Sequence, residues 1–492
     1  MFLGIDFGTS FSQISTMYLE QPLLLLNPGE YGIPSEFYYD RECGILVGQD
    51  AMDAGQGDAA AYLVSEVKMA ILSGESFTLD GRSFSAKEIV KEIYKALVSK
   101  AVQVAKKRSI NTDIEGVVIS VPAKFGIQER HLIAEAAKEC LGSVELSVKA
   151  IIKEPVAAAI AYYNTDLENN KHILVYDLGG GTCDVALVRS DSSAAEHYTV
   201  IDSDMVRLGG RNWDEELVKY ITKIIENKSN IQIIGNVGFE EKIRRTAISV
   251  KHDLSDPSKN QSIARVELNG RIYSTPVSRT VFDEITCHLL LQTFECLQDV
   301  YDRNASSCTI DEIICVGGSS NMLQVEAGLL DRFPQCQIRL YEPEHAVVNG
   351  ATIYANMPQK ESLVDVASFS YGIKHHKNYG FPDDKMIVTN IIKRGVSLPV
   401  EHSKSFAPIK DGQKDAMFRI YESEFLDEEF DFTNPEKRFI GAVHLILPPN
   451  SPKSLSLRCK LTLNTEGMLD VEASEPSGKR VTATFNIREL SL

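Results

Sequence analysis

The sequence lacks the features of several large protein classes. Its 492 residues contain one tryptophan, and 51 Lys and Arg are outnumbered by 68 Asp and Glu, which gives a net charge of −17. Because there is no basic excess, the overall field would not hold the chain on nucleic acid or on an anionic membrane. We therefore expect neither nucleic acid nor a membrane among its partners.

The nine cysteines are scattered, without a C-x-x-C pair or the Cys/His spacing of a zinc site. We expect them to be buried free thiols in a reducing compartment. The N-terminal MFLGIDFG enters an apolar strand directly, without the basic start and long apolar stretch of a signal peptide. No apolar run reaches membrane-spanning length. These absences predict a cytoplasmic protein, and the 43% hydrophobic and 24% charged residues are typical of a globular one.

Two hydrophobic patterns divide the chain. Up to residue 357, short apolar runs such as 117–121, 173–176 and 313–316 alternate with helical patterns, which predicts an α/β domain with buried parallel strands. Ser85 and Glu88 are spaced as a capping box at the start of one of these helices.

The character of the sequence changes after residue 357. Residues 358–366 are first polar and then apolar-acidic, and we interpret them as a linker. Beyond them apolar and polar residues alternate, most clearly over 455–463, which predicts an antiparallel β unit over 367–492. The acidic stretch 422–431 is predicted to be a solvated loop.

Two distant segments are similar to each other, LGIDFGTS from residue 3 and LVYDLGGGT from residue 174. Each contains a strand, an aspartate (Asp6 or Asp177) and a glycine turn that ends in threonine (Thr9 or Thr182). Glycine lets backbone N–H groups approach phosphate oxygens, and the hydroxyl groups add donors. Two such hairpins facing each other would surround a polyphosphate. A single copy would indicate only a junction between a strand and a turn.

Carboxylates cannot bind phosphate directly, so the two aspartates are predicted to hold Mg²⁺, commonly through its waters. Asp184 could support the metal or orient a water molecule. A third glycine turn, VGGSS at 316–320, ends a strand and opens a helix, where a ribose or phosphate group could bind. Neither a Walker A sequence nor a spaced G-x-G-x-x-G occurs, so the P-loop and Rossmann folds lack support.

At these motifs the sequence resembles the seventy-kilodalton heat-shock chaperone family. The resemblance rests on ordered blocks that extend over nearly the whole chain: IDFGTSFS from residue 5, VVISVPAKF from 117, IIKEPVAAAIAYY from 151, VYDLGGGTCDVALV from 175, LGGRNWDEEL from 208, VGGSSN from 316, EPEHAVVNGA from 342, and RFIGAVHLILPP and LTLNTEGMLDVEASEPSGK beyond the linker. It implies an α/β actin-like (ribonuclease H-like), two-lobed ATPase domain over 1–357, followed by an all-β sandwich over 367–492 that binds peptides.

The resemblance also implies roles for individual residues. It assigns catalysis to Lys68, Glu154, Asp177 and Thr182. It assigns the metal to Asp6, Asp177 and Glu154. It assigns nucleotide contacts to Gly8, Thr9, Ser10, Gly179, Gly180, Gly181, Thr182, Gly209, Gly210, Lys251, Ser255, Gly317, Gly318 and Ser319. The implied cofactors are ATP or ADP with Mg²⁺, and K⁺ is a further candidate cation. Hydrolysis would be an in-line attack by water, with Lys68 near the γ-phosphate.

Coupling between the domains is implied to run through Pro122, Arg130, Leu363, Val364 and Asp365. Peptide contacts are implied for Ile373, His376, Phe406, Ala416 and Phe418, although apolar residues at period two are also what a plain sandwich core shows. The chain ends at Leu492, so the resemblance predicts a member without the helical lid, which should exchange peptides quickly.

Several residues depart from the family pattern. Ile248 and Asn321 replace a glutamate and an arginine near the expected adenine site, which predicts weaker or altered base binding. Phe11 stands in the first phosphate loop where a small polar residue is expected, and it could crowd the site or slow turnover. Ala150, Lys153 and Val156 replace residues used by J-domain partners.

The sequence therefore predicts an ATP-hydrolysing chaperone that binds unfolded or extended apolar peptide segments. A nucleotide-exchange factor is a candidate partner, and a J-domain co-chaperone is a candidate whose usual contact residues are changed. One alternative is a nucleotide-switched interaction module with little or no hydrolysis. Another is a small-molecule kinase of the same fold superfamily, which would need a catalytic Asp facing a hydroxyl substrate and no β-sandwich.

Overall fold

A computed structural model describes the chain except for residues 66, 74, 123–124, 126, 141–146, 164–170, 191–197, 230–231, 358–366, 368, 397, 424, 436, 465–467 and 486–492. The chain divides into two compact units. The first comprises Met1–Lys124, Leu132–Tyr198 and Asp202–Ser362, and the second comprises Phe125–His131, Thr199–Ile201 and Leu363–Leu492. The predicted linker, with Leu363, Val364 and Asp365, lies outside the described residues, so the predicted domain boundaries stay a prediction.

Strands and helices alternate in the sequence before the predicted linker. The strands are β1 (Phe2–Phe7), β2 (Phe11–Tyr18), β3 (Gln21–Leu24), β4 (Ile33–Pro34), β5 (Phe37–Asp40), β6 (Gly44–Val47), β7 (Leu63–Val64), β8 (Ser76–Leu79), β9 (Arg82–Ser85), β10 (Gly116–Val121), β11 (Ser147–Lys153), β12 (His172–Leu178), β13 (Cys183–Ser190), β14 (Tyr198–Val206), β15 (Gln261–Leu268), β16 (Arg271–Ser278), β17 (Glu312–Val316) and β18 (Gln337–Leu340). The helices are α1 (Gln49–Ala54), α2 (Val67–Ser73), α3 (Ala86–Lys107), α4 (Ile127–Cys140), α5 (Glu154–Tyr163), α6 (Gly210–Ser229), α7 (Val237–Ser255), α8 (Arg279–Asn304), α9 (Leu323–Arg332) and α10 (Ala346–Asn356), with short 3₁₀ helices at Gly57–Tyr62 and Gly318–Asn321.

The two largest sheets of the first unit have the same strand order. One runs β11-β10-β1-β2-β3 and the other β18-β17-β12-β13-β14. In each, an antiparallel hairpin (β1–β2 or β12–β13) has a first strand that also pairs in parallel with a later strand (β10 or β17). This repeated order agrees with the two related halves expected from the two similar glycine segments. The predicted strands at 117–121, 173–176 and 313–316 are confirmed.

The first unit is built around apolar strands and helices that are buried on several sides. Every residue of α5 is buried, because this alanine-rich helix lies between the sheets and α10. The amphipathic helix α3 begins at the predicted capping box, in which the Glu88 N–H donates to the Ser85 hydroxyl and the Glu88 carboxylate accepts from the Ser85 N–H. This part of the sequence prediction is confirmed. Among the described residues, no helix is both long and apolar enough to span a membrane.

The second unit is mainly antiparallel β structure, as predicted. Its strands are β19 (Ser370–Lys377), β20 (Lys385–Ile392), β21 (Val400–Phe406), β22 (Asp415–Ser423), β23 (Glu429–Asp431), β24 (Lys437–Ile446), β25 (Leu457–Leu463), β26 (Leu469–Ser474) and β27 (Arg480–Thr484). They form two sheets, ordered β23-β20-β19-β22-β24 and β21-β25-β26-β27. The alternating residues of β25 place Leu457, Cys459, Leu461 and Leu463 in the core. All nine cysteines are free thiols, as expected, but the expectation that they are buried holds for only five of them, because Cys43 and Cys287 are exposed and Cys140 and Cys308 are partly buried.

The acidic stretch 422–431 is only in part the solvated loop that its composition predicts: residues 425–428 lie between strands and 426–429 are exposed, but the two ends belong to strands. Glu422 is buried at the end of β22, where its carboxylate lies 2.8 Å from the Arg438 guanidinium of the neighbouring strand β24. Residues Glu429–Asp431 form β23, which pairs with β20. The prediction was wrong at Glu422, because the cation that permits its burial, Arg438, is distant in the sequence.

Candidate active site

The two glycine hairpins face each other at contact distance. A Cβ atom built on Gly181 would lie 2.8 Å from Cγ2 of Thr9, and one built on Gly180 would lie 2.5 Å from Oγ of Ser10. Asp6 and Asp177 stand at equivalent places, each near the end of the first strand of its hairpin. The sheets therefore bring together two motifs that are far apart in the sequence, and a side chain at Gly180 or Gly181 would force Ser10 or Thr9 to shift.

Two further glycine turns join this pair. The N–H of Gly210 donates to the Gly179 carbonyl at 3.0 Å, and the Ser319 hydroxyl donates to the same carbonyl at 2.8 Å. Lys251 lies beside them, with its ammonium 2.9 Å from the Gly210 carbonyl and 2.8 Å from an Asp214 carboxylate oxygen. Residues predicted to contact the nucleotide, from four separate segments of the chain, thus lie together around Gly179.

The remaining predicted contacts belong to the same turns. These are Gly8, Thr182, Gly209, Gly317 and Gly318. Ser255, by contrast, donates its hydroxyl hydrogen to the Lys251 carbonyl of its own helix at 2.9 Å. At the expected adenine side, Ile248 is exposed, and the Asn321 amide donates to the Gly318 carbonyl at 3.2 Å.

A buried lysine and several carboxylates lie beneath the hairpins. Lys68 from α2 donates a hydrogen bond to Glu154 at the start of α5, and their side chains are 3% and 7% exposed. Desolvation lowers the pKa of Lys68, but the charges of Glu154, Asp6 and Asp184 outweigh it and raise that pKa. The ammonium therefore stays protonated.

The same arrangement raises the pKa of the carboxyl groups. Burial raises the pKa of Asp177 to about 8, with further contributions from Asp184 and Asp6. Burial also raises the pKa of Asp6 and of Glu154, against the lowering effect of Lys68. Burial of these carboxyl groups around one lysine therefore makes full ionisation of the cluster unfavourable, and a bound cation would stabilise the ionised form.

The donor set fits a hydrated magnesium ion. Within the part of the chain that the structure describes, no three His, Cys, Asp or Glu side chains are grouped closely enough to hold a metal by themselves. Mg²⁺ typically keeps several waters and binds one or two carboxylates together with substrate phosphates. Asp6 and Asp177, on opposite hairpins, are the residues that would hold it. The Asp6 carboxylate is oriented by the Ser120 hydroxyl, which lies 2.9 Å away.

Sequence reasoning missed Arg211, which connects the two hairpins. Its guanidinium donates to the Thr9 carbonyl at 2.9 Å and to the Ser10 hydroxyl at 3.2 Å. Its backbone N–H donates to the Gly180 carbonyl at 2.9 Å. Its position in the sequence, directly after the Gly209–Gly210 turn, could have indicated that it lies near the phosphate-binding turns.

The residues predicted for coupling are described only in part. Pro122 and Arg130 are buried, and the Arg130 Nε donates to the Phe125 carbonyl at 3.1 Å. Leu363, Val364 and Asp365 fall outside the described residues. The coupling role of all five residues stays a prediction.

The residues predicted to contact peptide lie in the second unit. Ile373, Ala416 and Phe418 are buried in the core, and Phe406 packs against them with its ring 5.8 Å from that of Phe418. His376 stands apart, half-buried on β19 with its Nδ1 atom 3.0 Å from an aspartate oxygen. Four of the five residues are therefore neighbours, and their role in peptide binding stays a prediction.

Together, the duplicated sheets and the facing glycine turns define an α/β unit whose turns could surround a phosphate group, in a chain that also carries a unit of two antiparallel sheets. A family model described as "Hsp70 protein" matches residues 65–491. The chain belongs to the Hsp70 family.

Individual relatives agree with this assignment. The chain is 27% identical to the chaperone protein HscA of Buchnera aphidicola subsp. Baizongia pistaciae, over 98% of this chain and 94% of that protein. It is also 27% identical to a ribosome-associated molecular chaperone of Eremothecium gossypii, over 98% of this chain and 81% of that protein. A third relative, the chaperone protein DnaK of Mycoplasma mycoides subsp. mycoides SC, is 27% identical over 86% of this chain and 69% of that protein.

Proposed function

We propose that this protein is an ATP-dependent molecular chaperone of the Hsp70 type, which hydrolyses ATP to control the binding of extended apolar peptide segments. The observation that carries the proposal is the close approach of the hairpins at Thr9 and Gly181, above a buried cluster of Lys68 and carboxylates. Family membership and the chaperone names of the relatives support the same function.

The proposed architecture follows the family. Residues 1–357 would form the two-lobed, actin-like ATPase domain and 367–492 the peptide-binding sandwich, with 358–366 as the linker. The repeated strand order of the two sheets supports the two lobes. The free thiols support a cytoplasmic location. ATP or ADP with Mg²⁺ would occupy the site, and K⁺ is a further candidate ion.

The residues of the site divide the work of phosphate cleavage among them. Backbone N–H groups of the glycine turns and the hydroxyls of Thr9 and Thr182 would bind and orient the phosphate oxygens. Lys68, held in place by Glu154, would stabilise charge that develops on the transferred group. When bound, Mg²⁺ would neutralise phosphate charge, and Asp6 and Asp177 are the residues that would hold it.

Two alternatives are less well supported. A nucleotide-switched interaction module would not need the buried Lys68 beside the phosphate-binding turns, and the relatives carry chaperone names. A small-molecule kinase would not need the β-sandwich of the second unit.

The decisive experiment measures release of a fluorescent, extended apolar peptide by the full chain, together with phosphate release. With ATP and Mg²⁺, the peptide should dissociate faster and phosphate should appear without a phosphorylated acceptor. Matched samples contain ADP in place of ATP, or EDTA in place of Mg²⁺, and should show neither effect. Nucleotide-independent peptide binding would contradict the chaperone proposal, whereas nucleotide binding without peptide binding or hydrolysis would favour the interaction module.

A further inference from the structure

Tyr31 follows the β1–β2 hairpin in the sequence, and its side chain reaches the third glycine turn, at residues 316–320. It lies in the loop between β3 and β4, whereas Gly318 follows β17 in the other large sheet. A Cβ atom built on Gly318 would lie 2.9 Å from the Tyr31 hydroxyl oxygen. The tyrosine therefore reaches a turn that carries a predicted nucleotide contact.

The backbone and the side chain of Tyr31 are both held by neighbouring residues. The Gln13 side-chain amide donates to the Tyr31 carbonyl at 2.8 Å, and Gln13 is the register partner of Asp6. The Phe11 ring packs edge-on against Tyr31 at 5.2 Å between ring centroids, and the His345 ring lies at 6.1 Å. Tyr31 is thus attached to the strand pair that carries the first phosphate-binding turn.

The Tyr31 hydroxyl is available as a donor. Burial raises its pKa, and the charges of Glu344, Asp6 and Asp177 raise it further, so the phenol stays protonated. Among the residues described by the structure, this hydroxyl has no hydrogen-bond partner. A neutral phenol can donate a hydrogen bond to an anionic ligand, whereas an ionised carboxylate at the same place could not donate and would repel that ligand.

We propose that Tyr31 is a positioning residue of the nucleotide site: its hydroxyl donates a hydrogen bond to a phosphate oxygen of the bound nucleotide, and its ring closes the gap toward Gly318. This inference rests on the proposed ATP-binding function. Because release of the nucleotide would break this bond, Tyr31 slows release. The Phe11 ring then supports Tyr31 instead of crowding the phosphates.

The test measures dissociation of a fluorescent ADP from the full chain and from Tyr31→Phe and Tyr31→Ala. A lost hydrogen bond to a charged group predicts release about tenfold faster for Tyr31→Phe, and a larger effect for Tyr31→Ala. The matched control is Tyr18→Phe, a tyrosine 43% exposed at the end of β2, which should release ADP at the wild-type rate. Fluorescence of Trp213 checks that each variant is folded.

A second measurement separates a phosphate contact from a structural role. Affinities for ADP and for adenosine are compared, and Tyr31→Phe should weaken ADP about tenfold while leaving adenosine unchanged. Equal weakening of both ligands, or wild-type ADP release by Tyr31→Phe, overturns the inference. If the unmodified chain binds no nucleotide, the proposed function itself has failed, and the two failures are thus distinguishable.

Discussion

Replacing Lys68 by Met tests the charge balance at the centre of the candidate site. The lysine ammonium is bonded to Glu154, and both side chains are almost fully buried. Removal of the ammonium leaves the Glu154 carboxylate among the charges of Asp184, Asp6 and Asp177. A buried carboxylate without its cation must either remain unfavourably charged or take up a proton.

Breaking a buried ion pair by removing one partner costs about 3–5 kcal/mol. Because burial already raises the pKa of Glu154, protonation should offset part of this cost at low pH, and the loss of stability should grow as the pH rises. The double variant Lys68→Met/Glu154→Gln removes both charges and should recover most of the lost stability.

Lys100→Met is the matched control. Lys100 pairs with Glu30 at 2.7 Å, but this pair lies at the surface, where such pairs are worth at most about 1 kcal/mol. The free energy of unfolding of the control should therefore lie within about 1 kcal/mol of that of the unmodified chain.

The assay is urea unfolding followed by the fluorescence of Trp213, the only tryptophan, which is fully buried in α6 of the first unit. Phosphate release is measured under conditions where each variant is folded. We expect Lys68→Met to bind ATP and to cleave it at least a hundredfold more slowly, because it loses charge stabilisation of the transition state. Equal unfolding free energies for the single variant and the control would refute the buried pair. Unchanged cleavage by a folded variant would remove Lys68 from catalysis.

Three further predictions follow from individual contacts. Gly181→Ala should weaken ADP binding at least tenfold, because the added methyl group would push the hairpins apart. Adding Thr9→Ala to the same chain should restore part of the affinity. The two substitutions would instead give additive losses in calorimetric titration if the hairpins did not touch. Burial raises the pKa of Glu422 to about 7, so this group's contribution to the stability of the second unit should fall by roughly 3 kcal/mol between about pH 4.5 and 7, and Glu422→Gln should flatten the fall in calorimetric unfolding. Ser85→Ala removes the cap of α3 and should cost about 1 kcal/mol in urea unfolding, whereas an unchanged midpoint would contradict the capping box.

Local signals made much of the site predictable. A strand, an aspartate and a glycine turn are contiguous in the sequence, so both hairpins and the residues Asp6 and Asp177 could be identified from short motifs. The capping box of α3 is equally local. Lys68 was different, because a lysine in an apolar segment has no local mark of its burial, and only the resemblance indicated its role.

Contacts between distant segments could not be predicted in this way. Arg211, in α6, and Tyr31, in the loop between β3 and β4, contact glycine turns that are distant in the sequence; the turn before Arg211 marks its surroundings, but no neighbouring residue identifies either contact partner. Glu422 shows the same limit for burial, since its position depends on Arg438 in the next strand of the sheet. The acidic composition therefore predicted a solvated loop at Glu422, whereas pairing of its strand with the strand of Arg438 places it in a buried ion pair.

The second unit shows why an apolar pattern alone cannot separate a binding pocket from a core. Alternation at period two specifies which face of a strand is apolar, and both a peptide groove and a closed sandwich satisfy it. Phe418 and Ala416 lie on the inner face of β22, where the second sheet covers them, and the partly buried Phe406 lies at the margin of the same core. Phe406 is the more accessible of these residues, so Phe406→Ala should alter peptide affinity more than substitutions at the fully buried positions do.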